Sequence, residues 1–540
     1  MITQPHAVTL REATAADAAG VVAVYHAAYG DGYVHPRFYD EHEIRKMIYD
    51  DDTLMLVAED DESGRIVGAA SVLFTQGAFS DLVGEFGRLV VHPEFRGHRI
   101  GTRLMEERLA RVGTRLHVAF AEVRVCNQSS PRISQRHGFV PVGALPQKLL
   151  FGDERENAGY LVKYFDGALS LRRNHPRVIP EALGLADIAL DQVGITPDVV
   201  EDEDAVPYPG GRSFELEELT DQGYASLLRI ERGRTRHREV FGPQRLHYGL
   251  FKLKASRSNY VIARDGARIV GAVGYMSDPT ERSVRIFEVI NSEEEAIRFL
   301  FEALHERFRA ERMVAIEIDV SAHAPRMQRT LLEMGYLPVA YVPALAFHDV
   351  ERIDVVKMYC LMEELRDLPF DAPEPTLSVG RYVLDSFARR RVLPRLVRAM
   401  DRLEICEGLS QEQTARLLGE FNTEVLFAGT EVFAQGDAPD RMLLVLSGEA
   451  AISIDGTEVG AVGAGESLGE VSLLSDTPRS ATAVARTDLE VGVLTRPRLN
   501  ALVRRRPDIG AVVYRNLAQG LGSKLRRADR AMRSGPIVSA

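Results

Sequence analysis

The stretch EFGRLVVHPEFRGHRIGTRLMEERLARV, residues 85–112, holds the groups best placed for chemistry. A strand-like run ending in Leu89, Val90 and Val91 stops at a proline. The turn Arg96, Gly97, His98, Arg99, Ile100, Gly101 then opens into a helical pattern with Leu104, Arg108 and Leu109. Backbone N–H groups in a glycine-containing turn at a helix N-terminus converge on one point, and the helix dipole favours negative charge there. A diphosphate suits such a turn.

The turn resembles the RxxGxG loop of the GNAT acyltransferases, which cradles the pyrophosphate of acetyl-CoA. Arg96 and Gly101 match the motif, and Arg99 stands where glycine is usual. The resemblance covers residues 8–165 and implies that Leu89, Val90, Val91, Arg96, Gly97, His98, Arg99, Ile100, Gly101 and Asn127 contact acetyl-CoA. Amide formation needs a deprotonated amine, and a strand carboxylate can take that proton directly or through water. Glu85, six residues before Val91, matches the spacing at which lysine acetyltransferases of this fold carry their base. Ser134 occupies the position where a tyrosine often protonates the leaving thiolate, so the thiolate is expected to leave unassisted or to be protonated by solvent. The segment YGDGYVHPRFYDEHEIRKMI (29–48) lies where the fold's substrate-side loop belongs. Its aromatic and acidic residues suit either a cationic amine or core packing.

The string GESLGEVSLLSDTPRSATAVA (465–485) resembles the phosphate-binding cassette of cyclic nucleotide-binding domains, with Leu468 at the usual Phe and Ser472 at the usual Ala. The resemblance implies that Glu470 accepts from the ribose 2′-hydroxyl and that Arg479 clamps the cyclic phosphate. The amides around Gly469, Val471, Ser480 and Ala481 then complete an anion cradle. It implies cAMP as the ligand, with cGMP as the alternative because Ser480 could bond a guanine amino group.

The elements that must position these residues are marked by repeats. RIVGA occurs at 65–69 and 268–272, AEVRV (121–125) parallels IEIDV (316–320), and GFVPVG (138–143) parallels GYLPVA (335–340). Three ordered matches predict a duplicated α/β fold. The second copy has no RxxGxG turn: RIFEVINSEEEAIRFLFEAL (285–304) fills the first helical turn with Glu293, Glu294 and Glu295, which would repel a diphosphate. The expected fold class is therefore α/β, tandem GNAT folds with the second degenerate, followed by a cyclic nucleotide-binding β-roll with flanking helices. Its expected domains are 8–165 (GNAT), 166–211 (linker with a short helix), 212–365 (degenerate GNAT-like), 366–399 (linker) and 400–532 (cyclic nucleotide-binding). The second copy is expected to serve packing, homodimer formation or substrate docking.

With 66 basic and 78 acidic residues among 540, the chain has a formal charge of −12, which excludes general affinity for nucleic acid or anionic membrane. It lacks a run of about 18 apolar residues and a secretory start, so a cytoplasmic protein is expected. Cys126, Cys360 and Cys406 lie far apart without metal-site spacing, and no metal is expected. The final helix is basic at Arg504 to Arg506, Arg515, Lys524, Arg526 and Arg527, which reads as a solvated face or a nucleic-acid contact. The chain ends a few residues beyond it, so no appended DNA-binding domain is expected. Lysine is scarce, seven residues against 59 arginines. The reading of function is cyclic-nucleotide-regulated transfer of acetyl from acetyl-CoA to an amine, with a protein lysine as acceptor. The alternatives are a small-molecule amine acceptor and a non-catalytic sensor scaffold binding both ligands.

Overall fold

The computed structural model describes residues 7–33, 35–77, 82–165, 167–219, 238–242, 246–247, 250–251, 258–348, 350–399, 403–438, 441–471 and 477–533. The chain forms two compact units, 1–384 and 385–540.

In the first unit one lobe contains β1 (Val8–Glu12), α1 (Ala18–Tyr29), α2 (Glu41–Ile48), β2 (Thr53–Asp60), β3 (Ile66–Gln76), β4 (Leu82–Val91), α3 (Ile100–Val112), β5 (Leu116–Arg124), α4 (Ser129–Arg136), β6 (Val140–Phe151) and β7 (Glu154–Tyr164). After α5 (Pro180–Gln192) a second lobe repeats the succession of strands. It runs β8 (Glu215–Leu219), β9 (Ser258–Asp265), β10 (Arg268–Asp278), β11 (Ser283–Asn291), α6 (Glu294–Ala310), β12 (Ala315–Ser321), α7 (Pro325–Glu333), β13 (Leu337–His348) and β14 (Glu351–Leu361). Both lobes belong to one 15-stranded sheet, fourteen of whose strands run in the order β1-β2-β3-β4-β5-β7-β6-β13-β14-β12-β11-β10-β9-β8, with Val240–Phe241 pairing β12 off this path. The order reads the same from either end, so the lobes meet through equivalent strands, as two copies do across a two-fold interface.

Alternation in β5 explains its two faces. Ala119, Ala121 and Val123 pack with Met105 of α3 and Phe139, while Phe120, Glu122 and Arg124 point to the opposite face. Where the lobes join, Gly143 pairs with Ala340, and a Cβ on Gly143 would lie 2.2 Å from the Val339 carbonyl oxygen. Only glycine permits that approach.

Two segments read as linkers are structural parts of this unit. Within 166–211, α5 buries Ala182, Leu185, Ala186, Ala189 and Leu190 beside β6 and β13. Buried Arg172 binds Asp198 at 2.7 Å and Asp354 at 2.7 Å. The acidic and proline-rich composition of 196–211 conceals that the helix before it is apolar along one face. Within 366–399, Phe370 and Ala372 join the first-lobe core, and Thr376–Ala399 is helical, with the boundary between units falling inside that helix. Prolines at 369, 373 and 375 end at the helix start, where proline is tolerated.

The second unit contains two four-stranded sheets. One pairs Asn422–Leu426, Leu489–Thr495, Arg441–Ser447 and Ser467–Leu468, and the other Glu431–Phe433, Thr482–Ala485, Glu449–Ile454 and Thr457–Gly463. Glycines at positive φ, such as Gly448 and Gly456, make the turns. Helices Gln411–Leu418, Arg496–Arg505 and Pro507–Arg533 flank the roll, and Leu417, Leu499 and Ile509 bury against Met442 and Leu444. Among the described residues no helix is long and apolar enough to cross a membrane.

Gly143→Val should destabilise the first unit by at least ~2 kcal/mol, the scale of overpacking a close-packed site. Denaturant unfolding followed by tyrosine fluorescence checks this, and an unchanged midpoint would mean the strand junction carries no load.

Candidate functional site

β4 and β5 run parallel and pair from Leu82 opposite Leu116, through a one-residue register shift before Val83, only as far as Glu85 opposite Phe120. β4 continues to Val91 and β5 to Arg124, so the strands part beyond that point. The parting leaves the β5-facing edge of Phe86 to Val91 without ladder bonds to β5, beside the start of α3. Past β4, Pro93–Phe95 forms a short 3-10 turn, and Gly97 takes φ +87. Arg99 is the residue preceding α3 and has φ +60, a left-handed conformation that costs a non-glycine residue about 1–2 kcal/mol. Arginine thus keeps the backbone shape that glycine adopts more easily. The first helical bond shown at this end runs from Arg103 N to Arg99 O at 3.0 Å, so the amides of Ile100, Gly101 and Thr102 have no intrahelical partner. Arg96, Gly97 and Arg99 are exposed around them, His98 is half-buried, and buried Ile100 anchors the helix. Gly101 lies against Leu89 and Ile133, 3.4 and 3.5 Å from where a Cβ would be.

Glu85 is half-buried and receives a bond from Arg88 Nη2 at 3.0 Å, which among the described residues engages only Oε1. Arg88 itself sits at φ +57 in a bulge of β4 against β3, and its carbonyl accepts from Tyr25 Oη at 3.1 Å. This partner was legible only as an arginine three residues after the carboxylate. Asn127 uses Oδ1 to accept from Ser129 N at 3.0 Å, an Asx turn at the start of α4. Ser134 is buried, with its carbonyl accepting from the amides of His137 and Phe139. Tyr25 of α1 and Phe38 of the loop after it are core residues, and Tyr29 at the end of α1, Tyr33 of the loop and Phe151 of β6 cluster with ring centroids 5.0–6.1 Å apart. Arg124 lies 3.8 Å above the Phe151 ring. His35 is pushed down to about 3 by burial and by Arg88 and Arg37, and is neutral at ordinary pH.

In the second unit Gly469 (φ +75) and Arg479 bring the two ends of the cassette together. Arg479 is 3% exposed and donates to Gly469 O at 2.9 Å and Arg441 O at 2.6 Å, its guanidinium 4.5 Å from the Phe433 ring centroid. A Cβ on Gly469 would lie 2.2 Å from Arg479 Nη1, and the positive φ also favours glycine there. Glu470 is buried, and Val471 and Ser480 are exposed. Ser472 lies outside the described residues, as do the side chains of Lys524, Arg526 and Arg527.

Residues 20–139 match the acetyltransferase (GNAT) family model, and residues 424–506 match the cyclic nucleotide-binding domain model. The chain carries a GNAT acetyltransferase domain and a cyclic nucleotide-binding domain. Relatives of the latter include the cyclic AMP receptor protein of Thermus thermophilus, 38% identical over 127 residues, 23% of this chain and 57% of that one. A cAMP-dependent protein kinase regulatory subunit of Yarrowia lipolytica is 37% identical over 92 residues, 17% of this chain and 24% of that one. The chain therefore spans under two-thirds of these relatives. A solved structure of the Thermus thermophilus catabolite activator protein is 35% identical, covering 24% of this chain and 62% of that one with a TM-score of 0.22.

The GNAT domain differs from the second lobe at its strand parting. There β11 and β12 keep register only from Ser283 opposite Ala315 to Ile286 opposite Ile318, and Val240–Phe241 pairs with Val320 and Asp319 beyond that point. Both inserted residues are buried, and a Cβ on Gly242 would meet Phe287 at 2.1 Å. The second parting is filled by the chain itself. Its helix start is also neutralised internally, since Glu293 pairs with Arg212 at 2.7 Å and Glu294 with Arg326 at 2.8 Å.

Arg479→Ala should weaken cyclic nucleotide binding at least ~10-fold, the scale of losing a charged hydrogen bond. Calorimetric titration of cAMP and cGMP checks this, with Arg479→Lys separating charge from the planar fork; unchanged affinity in both variants removes Arg479 from the site.

Proposed function

We propose that this protein transfers acetyl from acetyl-CoA to an amine, with a protein lysine as acceptor, and that a cyclic nucleotide controls the reaction. The observation that carries this reading is the open parting of β4 and β5 directly beside the amides that begin α3, in a lobe whose sister has both features blocked. Arg96, Gly97, His98, Arg99, Ile100 and Gly101 would hold the diphosphate of acetyl-CoA, and Leu89, Val90 and Val91 line the strand along which the thioester arm extends. Asn127 bounds the site at the start of α4. Acetyl-CoA supplies an activated acyl group; the chain holds it and prepares the amine.

Glu85, whose Oε2 has no hydrogen bond among the described residues, would draw in an ammonium group. The aromatic loop at Tyr29 and Tyr33 suits the same cation. With serine at 134, solvent protonates the departing thiolate.

We assign cAMP as the nucleotide, because the similar proteins named above are a cyclic AMP receptor and a cAMP-dependent kinase subunit. Glu470 and Arg479 would hold its ribose and phosphate, with the amides at Gly469, Val471, Ser480 and Ala481 around them. Control requires that the nucleotide bind one arrangement of the chain more tightly than another.

Free thiol released from acetyl-CoA, measured with lysine-containing protein, with polyamines and with no acceptor, each with and without cAMP, tests this. The expected result is release that depends on protein lysine and changes with cAMP. Polyamine-dependent release alone would overturn the acceptor; no release under any condition would overturn the enzyme reading.

A further inference from the structure

Glu122 stands two residues past Phe120, where β5 leaves its register with β4, and opposite Tyr160 of β7. It shares a face with Glu85, since Glu85 and Phe120 are register partners and Phe120 and Glu122 alternate in step. The carboxyl is half-buried and makes no hydrogen bond or ion pair with any described residue.

Both lobes build its surroundings. Lys148 of β6 pairs with Glu317 of β12 across the junction. On the second-lobe side, Lys357 binds Asp319 at 2.6 Å and lies 5.2 Å from the Tyr160 ring centroid, and Arg285 binds Asp319 at 2.9 Å. Tyr359 donates to Pro146 O at 3.0 Å, and on the first-lobe side Glu85 carries its Arg88. Taking ions out of water costs several kcal/mol each unless they are well paired, and an interface needed only for packing is served better by apolar groups. In a chain with seven lysines against 59 arginines, two of the seven stand here, beside Arg285.

Burial raises Glu122 most; Lys148 opposes it, Glu317 and Glu85 add repulsion, and Lys357 lowers it, leaving the group pushed up to about 7. Glu317, although buried, is held low by Lys148 and Lys357 and stays ionised. Two carboxyls on one face, one committed to an arginine and one free and readily protonated, divide holding from proton transfer.

We propose that Glu122 takes the proton from the acceptor ammonium while Glu85 holds that ammonium, and that the second lobe is part of the catalytic site through Glu317. This rests on the acetyl-transfer reading and moves the base role from Glu85 to Glu122. The ammonium gives one proton to Glu122, and the nitrogen lone pair forms the C–N bond as the thioester C–S bond breaks and its electron pair leaves on sulfur. The second nitrogen proton is lost to solvent, which protonates the thiolate, and Glu122 releases its own proton to solvent. Glu122 is a catalytic residue in this scheme, and Glu317 a positioning residue.

The test is the pH profile of acetyl transfer by the full chain and its variants, with folding checked by circular dichroism. Wild type should lose kcat/KM below about pH 7, because protonated Glu122 accepts nothing. Glu122→Gln should lose ~100-fold or more in kcat. Glu85→Gln should act mainly on KM for the amine. Glu317→Gln removes a negative neighbour and frees Lys148, so its acid limb should move to lower pH. Infrared difference spectra should find a carboxyl titrating near neutrality that is missing in Glu122→Gln, a readout that needs neither turnover nor the Glu317 variant. Transfer by Glu122→Gln at the wild-type rate, or an acid limb that stays in place in folded Glu317→Gln, overturns the inference and leaves acetyl transfer standing. Absence of transfer by wild type overturns both.

Discussion

The first unit depends on the point at which β4 stops pairing with β5. Parallel strands form an even ladder, and ending it while both strands continue leaves backbone donors and acceptors that something must satisfy. In the first lobe that edge lies next to the amides that begin α3 without an intrahelical partner, which is where the proposed reading puts acetyl-CoA. In the second lobe the same break is closed by Val240–Phe241 and by glutamates that bind arginines of the same chain. One topology thus yields a receptive edge in one copy and a sealed one in the other.

The sealed copy is not thereby idle. The palindromic strand order brings β6 and β13 together at Gly143, and Lys357 of β14 lies 5.2 Å from the ring centroid of Tyr160, the partner of Glu122 on β7. On the proposed reading the second copy, its own strand parting filled by Val240–Phe241, supplies Glu317 to the site of its twin. The glycine at 143 matters for the same reason, since any side chain would push the lobes apart and with them Lys148 from Glu317.

Much of this was legible in the sequence. The repeated RIVGA strings marked β3 and β10, the RGHRIG turn marked the start of α3, and PRSAT marked the cassette whose Arg479 and Gly469 the fold brings into contact. Glu293 to Glu295 marked the start of the second lobe's helix, where Glu293 and Glu294 pair with arginines of the same chain. What could not be read were contacts between residues far apart in the chain. The plug at 240–241 is two residues long and has no pattern, and Lys148 with Glu317 are 169 positions apart. The segments read as linkers misled because polar, proline-rich composition describes only part of each. α5 buries one face, and Phe370 and Ala372 return to the first core.

If one strand parting is receptive and the other sealed, calorimetric titration of acetyl-CoA into the full chain, with Arg96→Glu as the control for the turn, should find one site per chain that is weakened in the variant. A stoichiometry of two, or no binding, would rule that out.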